Sequence, residues 1–165
     1  MLRAPVLGWD WVMAGLTPFD GVQRALAGLD RVGHRRVGWS ILWNLAVAQG
    51  REGRSSVLDG CARQAEVDET RALAAGLGGR CAVVTTWCSD AELHRHRVAG
   101  RTRDIPGWYE LDWDHVAGFL ARWEEPTTPD LRLDAADRLA DNIGCLRSLL
   151  LGHPGDSTSP PASRG

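Results

Sequence analysis

The chain has 165 residues, of which 44% are hydrophobic and 24% are charged, so it is long enough for one globular domain with a sizeable core. Its formal net charge of −2 at pH 7 argues against bulk electrostatic binding to nucleic acid. No apolar run approaches the roughly 20 residues of a membrane-spanning helix, and the N-terminal stretch lacks the cleavage site of a signal peptide. The four cysteines show no ligand-like spacing, which predicts reduced, mostly buried thiols in a cytoplasmic protein.

Four short apolar runs predict β-strands covered on both faces, because their apolar residues are continuous rather than alternating. They are residues 4–8 (APVLG), 55–59 (SSVLD), 81–87 (CAVVTTW) and 131–134 (LRLD). Helical patterns separate these runs, so strands and helices alternate along the chain. This alternation predicts an α/β domain over residues 1–152, with a mostly parallel sheet flanked by helices. The polar, Pro- and Ser-rich residues 153–165 predict a disordered tail.

Capping residues indicate where the helices begin. Thr17 and Pro18 suit the N-cap and first position of a helix. A capping box, Ser89-Asp90-Ala91-Glu92, begins an arginine-rich helix, and Asp112 and Asp137 are the predicted caps of the last two helices. The remaining predicted helical segments are residues 33–49, 66–77, 113–123 and 138–151.

Acidic residues follow the predicted strands. Asp10 comes shortly after the first strand and Asp59 ends the second. Ligands of parallel sheets bind beyond the carboxyl ends of the strands, where an acid can hold Mg²⁺ directly or through water, or accept a proton from a substrate hydroxyl. Either acid alone is equally well explained as the cap of the next turn. Asp90 is expected only to cap its helix, and Asp134 remains open between a structural and a ligand-binding role.

The segment of residues 94–113 (HRHRVAGRTRDIPGWYELDW), here called the lid, contains four arginines within nine residues. Arg97 and Arg101 lie four apart on one helical face, where like charges repel, and no carboxylate lies three or four residues from Arg97. One interpretation is a phosphate-binding lid over the strand ends, because arginine suits bidentate contact with phosphate. The other is a solvated basic helix that pairs with distant acids. The aromatic residues of the lid either anchor its loop to the body or stack on a base; they are Trp108, Tyr109 and Trp113.

The stretch CSDAELHRHRVAGRTRDIPGWYELDWDHV, the strand and turn LRLDAAD and the helix LADNIGCLRSLL resemble the C-terminal half of small bacterial P-loop kinases. These are AAA-type ATP-binding proteins related to gluconate kinase, chloramphenicol phosphotransferase, polynucleotide kinase and the zeta toxins. LGWDWV and SSVLDG resemble the second and third strands of that family. The resemblance therefore covers residues 4 to about 151.

The resemblance implies an ATP-dependent phosphotransferase that acts on a small-molecule hydroxyl, with ATP and Mg²⁺ as cofactors. It implies that Asp10 is the substrate-side acid or general base, and that Asp59 is the Walker B-type acid that holds Mg²⁺ through water. It further implies phosphate-binding or catalytic roles for three lid arginines and a place near the adenine for one acid: Arg97, Arg101, Arg103 and Asp134.

The phosphate-binding loop of that family is not found in this sequence. The family opens with a strand, the motif GxxxxGKS/T and a helix, and the amides and lysine of this motif hold the phosphates. All 19 basic residues of the chain are arginines, so the motif does not occur in it. We therefore expect a fragment, a shortened gene product or a degenerate relative, with weak or absent binding of Mg-ATP.

The same resemblance predicts a gap in the sheet. In the family, the strand before the phosphate-binding loop lies between the strands that match SSVLD and CAVVTTW. Without it, two apolar strand edges are unpaired, which favours self-association. The alternative function is a non-catalytic remnant that keeps the outer parts of the fold and some affinity for an anion or a partner.

Overall fold

The computed structural model describes residues 4–152, and within them the chain forms four short strands and seven helices. The strands are β1 (Val6–Gly8), β2 (Val57–Asp59), β3 (Val84–Trp87) and β4 (Leu131–Asp134). The helices are α1 (Trp9–Ala14), α2 (Asp20–Ala27), α3 (Arg31–Arg51), α4 (Gln64–Gly76), α5 (Ala91–Gly100), α6 (Trp113–Leu120) and α7 (Leu139–Leu151). The predicted tail over residues 153–165 lies outside the described residues. No helix in residues 4–152 is long and apolar enough to cross a membrane.

The strands pair in parallel, as the alternation of strands and helices predicts, but they form two sheets. In the first sheet β1 pairs with β2, which places Gly8 opposite Asp59. In the second sheet β3 pairs with β4, which places Trp87 opposite Asp134. Within the described part of the chain, β2 and β3 do not pair with each other. The fold is therefore α/β with parallel strands, and the two pairs are separate where one continuous sheet is the commoner arrangement.

Half of the buried apolar residues lie on α1 and α3, which pack against each other. The indole of Trp9, the first residue of α1, lies so close to Gly38 that a Cβ there would be 2.2 Å from its Nε1 atom. The same nitrogen donates a hydrogen bond to the carbonyl of Arg35 at 3.1 Å. The buried apolar side chains are Met13, Ala14, Leu26, Trp39, Leu42, Val67, Val98 and Ile105. Eight such residues make a small core for a chain of this length, so much apolar surface stays in contact with solvent.

Helix α4 connects the first sheet to the segment that precedes β4. At its start, Glu66 is only 2% exposed and accepts hydrogen bonds from Arg35 on α3 at 3.0 Å and from the Arg63 amide at 3.0 Å. On its other side, Arg71 donates to the carbonyl of Thr128 at 2.7 Å and pairs with Asp130 at 3.1 Å. These contacts hold the two sheets in one body although their strands do not pair.

The first two helices differ from the sequence-based prediction. The short helix α1 was not predicted, because six residues directly after a strand give too short a pattern to identify. The expected helix start at Thr17 and Pro18 is wrong, since α2 begins at Asp20. The hydroxyl of Thr17 instead donates to the carbonyl of Ala14 at 2.8 Å, which satisfies an end carbonyl of α1.

The later caps agree in part with prediction. Asp90 and Asp112 are N-caps, accepting hydrogen bonds from Leu93 and His115 amides at 2.9 Å each. Asp137 is not a cap, because Arg138 occupies that position and α7 has no side-chain cap. The prediction of mostly buried cysteines is also wrong: all four are free thiols, Cys61 and Cys145 are exposed, and Cys81 and Cys88 are half-buried.

Candidate functional site

Asp10 lies at the carboxyl end of β1, in the first turn of α1. Helix α1 begins directly after the strand, so the carboxylate remains at the edge of the sheet where the strand ends. Burial is the main influence on the pKa of Asp10 and raises it. The guanidinium of Arg103 lowers this pKa, the Asp59 carboxylate raises it, and the positive charge of Arg101 lowers it. The net result is a pKa above the ordinary value of 3.8, in a carboxylate that faces two arginines and one other acid.

Asp59 lies beside this position because Gly8 and Asp59 are register partners in the first sheet. Its side chain is exposed, and its charge acts on Asp10 as described above. The next residue, Gly60, is packed against two indoles: a Cβ there would be 3.0 Å from the Cβ of Trp9 and 3.3 Å from Cζ2 of Trp39. The chain at the end of β2 therefore packs against Trp9 and Trp39, while the Asp59 side chain is exposed to solvent.

Arg103 is the lid arginine that reaches Asp10. Its Nη1 atom lies 2.5 Å from Oδ2 of Asp10, and its side chain is only 14% exposed. Its Nη2 atom donates to the carbonyl of Tyr109 at 2.5 Å, and its Nε atom lies 3.5 Å from Oε2 of Glu110. The lid thus brings a cation to the acid at the end of β1, across 93 positions of sequence.

The other two arginines lie in different places. Arg101 is near enough to Asp10 to lower its pKa, so it shares the same electrostatic neighbourhood. The expectation that Arg97 faces Asp10 and Asp59 is not met, because its Nη1 atom donates to the carbonyl of Ala135 at 2.6 Å. Arg97 follows Asp90 by two helical turns and so remains near the strand ends of the second sheet. The lid therefore contacts the carboxyl ends of both sheets, Arg97 at β4 and Arg103 at α1.

Asp134, at the end of β4, uses its carboxylate to bind backbone amides of the protein. Its Oδ1 atom accepts hydrogen bonds from the amides of Ser89 at 3.0 Å and Ala136 at 2.9 Å. Hydrogen bonds from Ser89 and Ala136 lower the pKa of this carboxyl. The acid connects the ends of β3 and β4 through Oδ1, which gives it a structural role at this edge.

The aromatic residues of the lid mostly anchor it. The Trp108 ring meets that of Trp9 edge-on, with centroids 6.3 Å apart. Trp113 meets His94 edge-on at 5.4 Å, which holds α6 against α5. Gly107 has a φ of +70° and lies against the turn after α1, because a Cβ there would be 2.8 Å from Oγ1 of Thr17. Anchoring to the body, one of the two interpretations made from sequence, is therefore observed for Trp108, whereas Trp113 contacts His94 within the lid itself.

Sequence reasoning missed Glu110. Its Oε1 atom accepts hydrogen bonds from the amides of Arg103 at 3.0 Å and Asp104 at 3.2 Å. Desolvation raises the pKa of Glu110, but these hydrogen bonds and the nearby Arg103 guanidinium outweigh it and lower the pKa overall. Residues 101–112 form a loop with a Pro-Gly turn and no regular element, so no local pattern indicated this partnership.

The residues of this site fit part of what Mg-ATP requires. Within residues 4–152, no group of three or more His, Cys, Asp or Glu side chains could hold a metal ion by itself. Mg²⁺ commonly takes one or two carboxylates and completes its shell with phosphate oxygens and water. Asp59 is such a carboxylate, and Arg101 and Arg103 suit phosphate oxygens. The glycine-rich amide cradle and its lysine are absent from the sequence.

Comparison with known proteins gave no relative: no family model matches the chain, and no curated protein matches it.

Proposed function

We propose that the chain forms the acceptor side and lid of an ATP-dependent phosphotransferase of the small P-loop kinase type. The observation that carries the proposal is the arrangement of Asp10, Asp59, Arg101 and Arg103. Two acids from adjacent parallel strand ends lie together, and one lid brings two arginines toward them. Parallel sheets bind their ligands at this edge.

The strand pairing supports the proposed architecture. In the family that the sequence resembles, a central strand separates the strands corresponding to β2 and β3. Here β1 pairs with β2 and β3 with β4, and the pairing is interrupted between β2 and β3. A sheet with one central strand removed would have this pairing pattern.

Each residue then has a chemical role. Asp10 accepts the proton of the substrate hydroxyl, since its raised pKa makes it a better base than an ordinary aspartate. Arg101 and Arg103 neutralise the negative charge that develops during transfer, and Asp59 holds a metal ion through water. Bound Mg-ATP would supply the phosphoryl group and the charge that organises it. Arg97 and Asp134 lie at the end of β4 and would border the nucleotide base.

The proposal extends to substrate and location. The acceptor is a small molecule with a hydroxyl group, bound between Asp10 and the residues of α2 and early α3. The four free thiols suit a reducing compartment, so we place the reaction in the cytoplasm.

Two observations favour a second function. The sequence has no lysine and therefore no P-loop motif, and Arg103 already has protein acceptors for all of its donor nitrogens. Both facts suit a non-catalytic module that has kept the outer fold and binds an anion or a partner weakly. The two functions differ in what a restored phosphate cradle would do.

The test is an N-terminal fusion that adds a strand, a GxxxxGKS/T loop and a helix from a small kinase. We expect the fusion to bind Mg-ATP and to transfer phosphate to a hydroxyl acceptor in a panel of small alcohols and sugars. A fusion with the motif lysine changed to alanine is the matched control. Asp10→Asn should lower turnover by roughly 10²- to 10⁴-fold while ATP affinity stays nearly constant, and Asp59→Asn should weaken the Mg²⁺ dependence.

Two outcomes contradict the proposal. A folded fusion that binds no more Mg-ATP than its lysine-to-alanine control would favour the non-catalytic module. Wild-type turnover in the Asp10→Asn fusion would remove the assignment of Asp10 as the base.

A further inference from the structure

Arg103 is the only charged side chain of the lid seen to pair with an acid of α1 within residues 4–152. Two of its three acceptors belong to the lid itself, the Tyr109 carbonyl and the Glu110 carboxylate. The third is Asp10, on the body of the protein. The lid therefore holds the guanidinium in a fixed position from its own side and presents Nη1 to Asp10.

Glu110 builds the loop around this arginine. One of its oxygens accepts hydrogen bonds from the amides of Arg103 and Asp104, and the other lies near Nε of Arg103. Because Glu110 contacts both the backbone and the side chain of Arg103, the position of the guanidinium and the shape of the loop depend on each other. We therefore expect release of Arg103 from Asp10 to loosen the loop.

Features of the docked lid oppose this ion pair. Asp104 has a φ of +51°, in the left-handed region that costs free energy for a residue with a side chain. The indole nitrogen of Trp108 is buried and donates no hydrogen bond within the described part of the chain, which also costs free energy. The docked lid is therefore a balance between local costs and a few favourable contacts, of which the Asp10–Arg103 pair is the ionic contact seen between the lid and the body within residues 4–152.

We propose that the Asp10–Arg103 pair is an autoinhibitory latch. It keeps the Asp10 carboxylate bound to Arg103 until an anion binds Arg103 and releases the carboxylate. The proposal rests on the proposed function for the role of Asp10, although the latch itself is measurable without any nucleotide. Nη1 and Nη2 each donate a hydrogen bond to protein, so a phosphate that binds both nitrogens bidentately, as arginine favours, competes with Asp10 for Nη1. A phosphate oxygen that takes Nη1 replaces Asp10 and leaves its carboxylate free to accept a proton. Arg101, already close to Asp10, adds positive charge to the same anion position.

The experiment is hydrogen exchange measured by mass spectrometry on the full chain, with no nucleotide present. In Asp10→Asn we expect the amides of residues 101–110 to exchange about tenfold faster, as loss of a charge-assisted hydrogen bond between partly buried groups allows. The matched control is Glu125→Gln, which breaks an arginine–carboxylate pair with Arg132 (2.8 Å) outside the lid. This control should leave residues 101–110 at the wild-type rate.

The anion step uses inorganic phosphate as the probe, against sodium chloride at equal ionic strength. Phosphate should raise lid exchange in the wild type toward the Asp10→Asn rate and have little effect on Asp10→Asn itself. Equal effects of phosphate and chloride would show simple screening and would overturn the anion-release step.

Wild-type lid exchange in Asp10→Asn would overturn the latch. If Asp10→Asn loosens β1 and β2 as well, Arg103→Gln provides the second variant from the lid side. If Arg103→Gln does not increase the hydrogen-exchange rate of residues 101–110, the latch is equally overturned. Nucleotide binding by the fused protein tests the proposed function separately, so either idea can fail while the other stands.

Discussion

At the scale of single residues, three acids that follow strands meet different partners, and the partners decide what each carboxylate can do. Asp10 faces Arg103 in a partly buried position, and its pKa is raised. Asp59 is exposed beside it. Asp134 is occupied by two backbone amides. Of the three, Asp10 combines a raised pKa with an exchangeable partner, which is why the proposed proton acceptor is Asp10 and not Asp134.

A fourth acid, Asp130, should make stability depend on pH. The amide of Val83, at 2.7 Å, is the main reason that the pKa of Asp130 lies below 3.8, and Arg71 adds to it. A pKa lower in the folded than in the unfolded chain adds stability that is complete above pH 3.8 and is lost as pH falls through the folded value. Solvent screening should limit this contribution to less than about 1 kcal/mol.

Asp130→Asn should therefore remove part of the acid dependence of the thermal unfolding midpoint between about pH 5 and pH 2. Asp137→Asn is the matched control, because the Asp137 carboxylate accepts no hydrogen bond within residues 4–152. Identical acid profiles for wild type and Asp130→Asn would show that these hydrogen bonds do not persist in solution.

At the scale of elements, helix α1 positions Asp10, the central acid of the candidate site. Six residues are too few for a stable isolated helix, so α1 depends on its packing against β1 and α3. Trp9 provides this packing by lying on Gly38 of α3, beside Gly60 and against Trp108 of the lid. One indole thus connects the acid of α1, the end of β2 and the lid.

Gly38→Ala tests this packing. The added methyl group would lie 2.2 to 2.7 Å from three atoms of the Trp9 indole, so the ring must move. We expect a loss of about 1 to 3 kcal/mol in unfolding free energy, together with faster hydrogen exchange in the lid. Gly144→Ala, in the middle of α7 with open space around it, is the control and should gain up to about 1 kcal/mol. Unchanged stability in Gly38→Ala would mean that Trp9 packs elsewhere in solution.

At the scale of the whole molecule, the two sheets are joined by helices and by the lid rather than by strand pairing. Helix α4 contacts α3 on one side and the segment before β4 on the other. The lid contacts β4 through Arg97 and α1 through Arg103. Between the sheets, β2 and β3 each keep one unpaired edge within the described residues, and Val57 and Trp87 on these strands are substantially exposed.

This architecture predicts weak binding of Mg-ATP by the chain alone. Under the proposed function, the arginines and acids of the site would contact the outer phosphates and the metal, whereas the amides and lysine that would hold the β-phosphate are absent from the sequence. Calorimetric titration should show no binding, or dissociation constants well above the micromolar range. A micromolar constant would mean that another element of the protein supplies the cradle.

The unpaired edges predict marginal stability and self-association. An unpaired strand edge that also exposes apolar side chains such as Val57 and Trp87 can pair with the same edge of a second copy. Sedimentation velocity should show oligomers that increase with concentration, and hydrogen exchange along β2 and β3 should be fast in the monomer. Slow exchange along both strands in a monomer would show that the edges are closed and would contradict this prediction.

The sequence by itself determined the features that depend on neighbouring residues. The four strands, the parallel α/β class and the caps Asp90 and Asp112 follow from short apolar runs and from side chains that bond to amides three residues away. The placement of Asp10 and Asp59 at strand ends follows equally, because a strand end is a local property. The P-loop kinase resemblance, the cofactors and the roles of the site residues remain proposals.

Only the tertiary structure decided which of these residues meet. Asp10 lies 93 positions from Arg103, and no sequence period connects them, so the choice of Arg103 over Arg97 depends on where the lid loop turns. Glu110 and Trp9 were missed for the same reason, since their partners are set by a Pro-Gly turn and by a glycine on a distant helix. Local spacing determines which face of an element a side chain occupies. Its partner is determined by how elements pack, which depends on free energies summed over the whole chain.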